Sequence, residues 1–372
     1  MKPKAIGWPL ALILAMAAGA AAASAAQSAV RTTLPPLPAP LDVPHPGPET
    51  AVPYAPQPIL PSGIVAPLYQ PGSHFLDMKR VREPERYHLS QSSPGRIDSI
   101  VNIHNPSIEV HTVASSLNTG TAVILIPGGG HITLNVGGEG ADFVPFFANY
   151  GVNTIILRNR LHSDGYSIGT DATYDVQQAI RLVRAYAAQL RIDPHKIGVM
   201  GFSAGGELAS NAAVFYERFD KQNSGPGDPL AGISSRPDFV ALVYPGPTPF
   251  APEHAPAPVV PRDMPPTFLV CAGSDDQIHA MWADQYFHAM LAREVPNLEM
   301  HIYGNGRHPG DLLRDSTHMS GGLTDRRDTP YGTWQFRFID WFRDLGFLEK
   351  PGVATKAAND VDYYVAHPAA KP

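Results

Sequence analysis

From residue 122 onward, short apolar runs alternate with stretches whose apolar side chains recur every three to four positions, and this alternation limits the fold more than any other property of the chain. The runs at 122–126 and 152–157 are short and largely apolar, and each predicts a strand buried on both faces. Further strands are predicted at 197–200, 239–244, 266–272 and 298–303. Between the second and third runs, Val176, Ala179, Ile180, Val183, Ala187 and Leu190 form one apolar stripe, which predicts a helix of about four or five turns. Further helices are predicted from Ala204, over 280–293 and over 334–345, where Trp334, Phe338, Ile339 and Phe342 share a core-facing side. Residues 97–103 and 108–112 read as antiparallel strands ahead of this series. The whole pattern predicts an α/β fold, a mainly parallel central sheet with helices on both faces, whose ligands bind beyond the carboxyl ends of the strands.

The N-terminal quarter has a different character. Lys2 and Lys4 precede an apolar run over residues 8–23, and Ser24-Ala25-Ala26 follows. The apolar core of that run is too short for a bilayer span, so residues 1–26 read as a signal peptide. The expected location is periplasmic or extracellular, with no stable membrane anchoring after cleavage. Prolines then arrive every few residues between positions 33 and 71. Their locked φ and missing NH donors oppose regular structure, so residues 27–95 are expected to be a proline-rich extension acting as a spacer. The folded catalytic domain is placed at 96–348, and residues 349–372, with Pro351, Gly352 and Pro372, are expected to be a poorly ordered tail.

Charge and cysteine content narrow the function. The formal net charge is -6, and losing Lys2 and Lys4 with a signal peptide takes it to -6 - 2 = -8. No block of Lys or Arg follows, which argues against nucleic acid as a partner. Cys271 is the only cysteine. No intrachain disulfide can form, and its place in an apolar run predicts a buried small hydrophobe.

Gly201-Phe202-Ser203-Ala204-Gly205 lies between a predicted strand and a predicted helix. A serine at such a sharp turn has its hydroxyl exposed, and small neighbours let other backbone approach it. A free hydroxyl is a poor nucleophile, so the reading requires a histidine base and a carboxylate to orient it, in the chain order Ser, Asp or Glu, His. Asp275-Asp276 follows one later strand and His308 follows the next. After the 122–126 run comes Pro127-Gly128-Gly129-Gly130-His131. The NH groups of Gly129, Gly130 and Ala204 are the candidate oxyanion donors. No Gly-Lys-Ser/Thr follows this glycine cluster and no Gly-X-Gly-X-X-Gly opens a helix, which disfavours nucleotide binding.

The phrases AVILIPGGGH, DVQQAIRLVRAYAAQLRIDPHKIGVMGFSAGGELAS, CAGSDD and EMHIYGNGRH resemble the α/β-hydrolase serine esterases identified as acetyl xylan esterases or feruloyl esterases. The resemblance covers residues 100–348. It implies the α/β-hydrolase fold, a metal-free and cofactor-free mechanism, and acylated plant polysaccharide or its oligosaccharides as substrate. It also favours Asp276 over Asp275 as the triad acid, because the spacing to Glu299 matches the family, although His279-Ala280 stands where the family has Val-Pro. Asp275 is then expected to cap the turn. Glu207 replaces a histidine of the family's elbow and reads as a helix N-terminal glutamate favoured by the dipole; contact with sugar hydroxyls is the alternative. His131 replaces an aromatic and either lines the pocket or serves the turn. His279 and His318 are weaker candidates than His308 for the base.

Fifteen histidines invite a metal reading, but no helix carries His-X-X-X-His and no Cys/His cluster has ligand spacing. Asp171 and Asp175 are expected to serve a helix N-terminus. Residues 160–171 and 216–236 are expected to shape the acyl and alcohol pockets. A general carboxylesterase, a lipase-like enzyme, a peptidase and a non-enzymatic polysaccharide-binding scaffold are the rival readings.

Overall fold

The computed structural model describes residues 35–40, 53–91, 93–223, 225, 228–273, 276–304, 306, 308 and 331–368. The expected signal peptide, Asp275 and His318 lie outside them. Ten strands form: β1 (Ile64–Pro67), β2 (Arg86–Leu89), β3 (Ile97–Val101), β4 (Ser107–His111), β5 (Ala122–Ile126), β6 (Asn153–Arg158), β7 (Ile197–Phe202), β8 (Val240–Val243), β9 (Thr267–Ala272) and β10 (Glu299–Tyr303). Eight of them make one sheet in the order β1-β4-β6-β5-β7-β8-β9-β10. From β6 to β10 every pairing is parallel, while β4 and β1 add antiparallel strands at one edge. The antiparallel strands expected at 97–103 and 108–112 exist but do not pair with each other, since β3 joins β2 in a separate two-stranded sheet.

Every residue of β5, β6, β7, β8 and β9 is buried, so both faces of the central sheet are covered. The helices are α1 (Phe143–Ala148), α2 (Thr173–Ala185), α3 (Ala187–Leu190), α4 (Ala204–Val214), α5 (Tyr216–Gln222), α6 (Gln277–Ala292), α7 (Trp334–Asp344) and α8 (Lys356–Ala366). The single helix expected over 176–190 is interrupted at Tyr186 (φ -90°, ψ 6°), yet Tyr186 N–H still bonds Leu182 O and Leu190 N–H bonds Tyr186 O. The stripe therefore stays on one side across the break. Helix α4 packs on β7, β8 and α2, while Phe143 of α1 meets Phe202 of β7 and Trp334 of α7.

The proline-rich segment departs from the expected spacer. Among the described residues regular structure starts at Ile64, and Tyr54, Ile59, Val65, Leu68, Tyr69 and Val81 are buried. Prolines are compatible with this because β1 is an edge strand and Pro67 ends it. A buried carboxylate supplies the anchor. Glu109 on β4 accepts bonds from the amides of Ile59 (2.6 Å) and Leu60 (2.9 Å) and from Arg158 (2.8 Å), which also bonds Glu85 (2.9 Å). The expected tail departs in the same way, since α8 forms after Pro351. Thr355 caps it by accepting the Ala358 amide at 3.0 Å, and Ala357 and Val361 are buried.

Candidate active site

Strand β5 pairs with β6 on one side and β7 on the other. Chain connections diverge there, which opens a crevice at the carboxyl ends of β5 and β7. The glycine loop after β5 and Ser203 after β7 both sit at that point. Ser203 has φ 51° and ψ -119°, a left-handed conformation that costs a non-glycine residue on the order of 1–3 kcal/mol and marks a position held by its surroundings. The neighbouring glycines are required sterically. A Cβ on Gly201 would lie 2.2 Å from the Gly205 carbonyl oxygen, and one on Gly205 would lie 1.9 Å from that of Ile126. The turn closes only because those side chains are absent.

Three predicted residues come together as a hydrogen-bonded chain. Ser203 Oγ lies 2.9 Å from His308 Nε2, and His308 Nδ1 lies 3.1 Å from Asp276 Oδ2. Asp276 follows β9 and is 4 % exposed. Burial alone would raise its pKa, but bonds from His279 and His308 outweigh that and hold the carboxyl below its ordinary value. An ionised carboxylate only accepts, so both imidazole Nδ1 atoms carry hydrogen and His308 Nε2 is left to receive the serine proton. Tyr244 meets the His308 ring edge-on, with centroids 5.2 Å apart.

The glycine loop abuts the serine directly. A Cβ on Gly128 would lie 2.5 Å from Phe202 O and 2.9 Å from Ser203 Cβ. Gly129 (φ 130°) and Gly130 (φ 62°) adopt conformations that favour glycine. Among the described residues no hydrogen bond uses the amides of Gly129, Gly130 or Ala204, as oxyanion donors require. The Gly128 amide is instead bound by Glu139 Oε2 at 2.6 Å, and Glu139 Oε1 accepts from Tyr244 Oη at 3.0 Å. Burial pushes Glu139 up to about 7, against the lowering effect of those donors. Sequence reasoning missed Glu139; a lone charge inside Gly137-Gly138-Glu139-Gly140-Ala141 was the available signal.

Two charged residues expected at helix N-termini are found there with additional partners. Glu207 lies in the first turn of α4 but is not solvated. It is 7 % exposed and its Oε2 lies 2.9 Å from His131 Nε2, which ties the residue after the glycine loop to the helix after Ser203. Asp175 lies in the first turn of α2, as expected, and has further partners there. It is buried and binds Arg160 through Nε and Nη2 and accepts from Tyr69 Oη, while Asp171 bonds Arg160 Nη1. Burying an arginine demands such compensation.

His279, weighed above as a base, is bonded to the second oxygen of Asp276 rather than to Ser203. Asp276, His279 and His308 bring potential ligand atoms within 4.8 Å of one another, but both Nδ1 atoms are engaged by the carboxylate, which makes this a hydrogen-bond network. Cys271 is buried and its thiol is pushed up to about 12 by burial, so it is chemically quiet. Residues 160–171 touch the site's rim, where Ser163 N–H bonds His131 O at 3.1 Å. Residues 222, 223, 225 and 228–230 instead border a cavity of about 530 Å³ with Tyr69, Phe75 and Gln178, and no triad residue lines it.

Comparison with known proteins agrees with this geometry. A family model described as BD-FAE matches residues 108–228, and one described as alpha/beta hydrolase fold matches residues 170–305. The crystal structure of an acetyl ester-xyloside bifunctional hydrolase from Caldicellulosiruptor lactoaceticus superposes with a TM-score of 0.56 at 25% identity, covering 77% of this chain and 97% of that one. The chain has the α/β-hydrolase fold. Within that fold it is related to Endo-1,4-beta-xylanase B of Butyrivibrio fibrisolvens, 30% identical over 183 residues (45% of this chain, 25% of the relative). It is also related to an acetylxylan esterase of Xylanibacter ruminicola, 31% identical over 128 residues (34% and 23%). The chain therefore spans about a quarter of the length of those two relatives.

Proposed function

We propose that the chain is an exported serine esterase that removes acyl groups, acetyl above all, from plant polysaccharide such as xylan. The hydrogen-bonded chain from Ser203 through His308 to Asp276, at a strained turn on the crevice of the sheet, carries this reading. His308 Nε2 takes the Ser203 proton as Oγ attacks the ester carbonyl. Asp276 holds the imidazole in the required tautomer and stabilises its positive charge. The amides of Gly129, Gly130 and Ala204 receive the developing oxyanion; losing one such donor costs about 10²–10³-fold in turnover. His308 then protonates the leaving alcohol, and water, activated by the same imidazole, releases the acid from the acyl-enzyme.

The relation to an acetylxylan esterase and to an acetyl ester-xyloside hydrolase supports the carbohydrate ester. The basic N-terminus with its apolar run supports export. Acetate release from acetylated xylan, measured beside p-nitrophenyl acetate and methyl ferulate with the wild-type protein and Ser203→Ala, tests the reading. Serine-dependent acetate release from the polymer is expected. Hydrolysis of p-nitrophenyl acetate alone would remove the polysaccharide and leave a general carboxylesterase, while activity retained by Ser203→Ala would remove the mechanism.

A further inference from the structure

The reaction just described gives no task to Glu139, a buried carboxyl between the glycine loop and Tyr244. Its backbone is fixed locally. Glu139 N–H bonds Asn135 O at 3.0 Å and Ala141 N–H bonds Val136 O at 2.7 Å, within a helical turn over Gly137–Ala141. From that turn Oε2 accepts the Gly128 amide at 2.6 Å and Oε1 accepts the Tyr244 hydroxyl at 3.0 Å, and the Asn135 side chain bonds the same carboxyl. Gly128 follows β5 and Tyr244 follows β8. Strand β7, which leads into Ser203, lies between those two in the sheet. The carboxyl thus bridges the two neighbours of the nucleophile's strand. We propose that Glu139 is a positioning residue, a brace that holds the oxyanion loop on one side of Ser203, and Tyr244 with His308 on the other, at a fixed separation. This rests on the serine-esterase reading above.

Both ends of the brace touch the machinery. A Cβ on Gly128 would lie 2.9 Å from Ser203 Cβ and 3.1 Å from Glu139 Oε2, so nucleophile and carboxyl close on the loop at one point. Gly129 and Gly130, whose amides are the oxyanion donors, follow directly. At the far end the Tyr244 ring meets His308 edge-on at 5.2 Å, and Val243, the residue before Tyr244, accepts the Ser203 amide at 3.0 Å. Nucleophile, oxyanion loop and base are therefore all within one contact of the groups that Glu139 ties together.

The loop has other bonds, and they do a different job. Gly128 O accepts from Asn135 N–H and Gly129 O from Ile132 and Thr133 N–H, which sets the shape of the turn. Leu134 and His131 tie its outer side to Ile100, Ser163 and Glu207. None of these bonds reaches Tyr244, and the Glu139 carboxyl does. The separation it sets matters because a reacting geometry misplaced by about 1 Å costs up to about 10²-fold in rate.

The test separates kcat from KM for p-nitrophenyl acetate in wild-type, Glu139→Met, Glu139→Gln and Tyr244→Phe proteins. Glu139→Met keeps the length of the side chain but leaves the buried Gly128 amide without its acceptor. There kcat should fall by about 10–100-fold while KM stays within about threefold of wild type. Glu139→Gln can keep both contacts, its carbonyl accepting from Gly128 and its NH2 donating to Tyr244 Oη, and should restore kcat to within about fivefold of wild type. Tyr244→Phe frees one end of the brace and should lower kcat by less than Glu139→Met does; it decides the question by itself if Glu139→Met does not fold. Three results would overturn the proposal: a loss carried by KM, which makes Glu139 a substrate contact; equal losses in Glu139→Gln and Glu139→Met, which make its charge the active property; or wild-type kcat in Glu139→Met or Tyr244→Phe. Amide hydrogen exchange over residues 127–136 in a Ser203→Ala background reads the loop without activity. Exchange there should be faster with Glu139→Met than with Glu139→Gln, and equal exchange would defeat the proposal even in a protein that hydrolyses no ester. An inactive wild type with the expected exchange would instead remove the esterase reading and leave the brace standing.

Discussion

Two groups of buried carboxylates in this molecule are neutralised by different partners. At the N-terminal edge of the sheet, Glu85 and Glu109 share Arg158, with His111 a second partner of Glu109, and Asp175 is held by Arg160, with both arginines and all three carboxylates almost wholly buried. At the carboxyl ends of the strands, Asp276 is held by two imidazoles and Glu139 by an amide and a phenol. Guanidinium stays charged at any pH a protein survives, so Arg158 and Arg160 give the first group fixed cations that fasten the 53–91 segment to the sheet. Imidazole and neutral donors leave the second group able to exchange protons, which is what acid–base chemistry requires. Similar burial thus produces structural support in one region and, under the proposed function, reactivity in the other.

Substitutions sharpen that contrast, and the largest effect should come from the reactive group. Asp276→Asn leaves the packing in place but offers His308 an amide, favouring the wrong tautomer. Turnover of p-nitrophenyl acetate should fall about 10⁴-fold with little change in thermal midpoint, and a fall below tenfold would show that Asp276 does not orient the base. The guanidinium group should show the reverse balance. Arg158→Met removes the guanidinium that Glu85 and Glu109 share, leaving Glu109 only His111 and two amides, and should cost about 3–5 kcal/mol in urea unfolding. If the variant unfolds like wild type, the edge anchor is not where the structure puts it.

Glu139 should set a pH dependence of stability. Its carboxyl titrates near 7 when folded and near the ordinary glutamate value when unfolded. Between those values the folded state binds the extra proton, so its stabilising contribution is present at low pH and lost as pH rises toward 7. The loss is at most about 3 kcal/mol, and Glu139→Gln should flatten that part of the stability profile. A slope unchanged by the substitution would assign it to another group. The smallest effect is expected from Glu207→Ala, which leaves His131 without its partner. The loss should be about 1.5–3 kcal/mol of stability, read by thermal melting, and none at all would place the His131 contact outside the stabilising set.

The central fold is legible from sequence because burial on both faces removes polar alternation. β5, β7 and β9 fall where the continuous apolar runs are. Ser203, Asp276 and His308 are legible as an ordered series after successive strands, a pattern that depends on chain connectivity alone. Partners brought together from distant sequence are not legible. Glu207 finds His131 across 76 positions, and Glu109 finds Ile59 across 50. Glu109 has a local partner in His111, but the amides and the guanidinium that also hold it come from distant sequence. The proline-rich segment misleads for a related reason, since prolines rule out a central strand but tolerate the edge position that β1 occupies. At the other end, the Thr355 cap with Ala357 and Val361 on one face was readable, and the nearby Pro351 and Gly352 masked it.

The most direct measurement is intact mass and peptide mapping after reaction with a fluorophosphonate, in wild-type and Ser203→Ala proteins. A hydroxyl activated by His308 and Asp276 predicts a single adduct, on Ser203, formed with loss of esterase activity and absent from the variant. An unmodified wild-type protein, or an adduct that persists in Ser203→Ala, would contradict the assignment of Ser203 as the nucleophile.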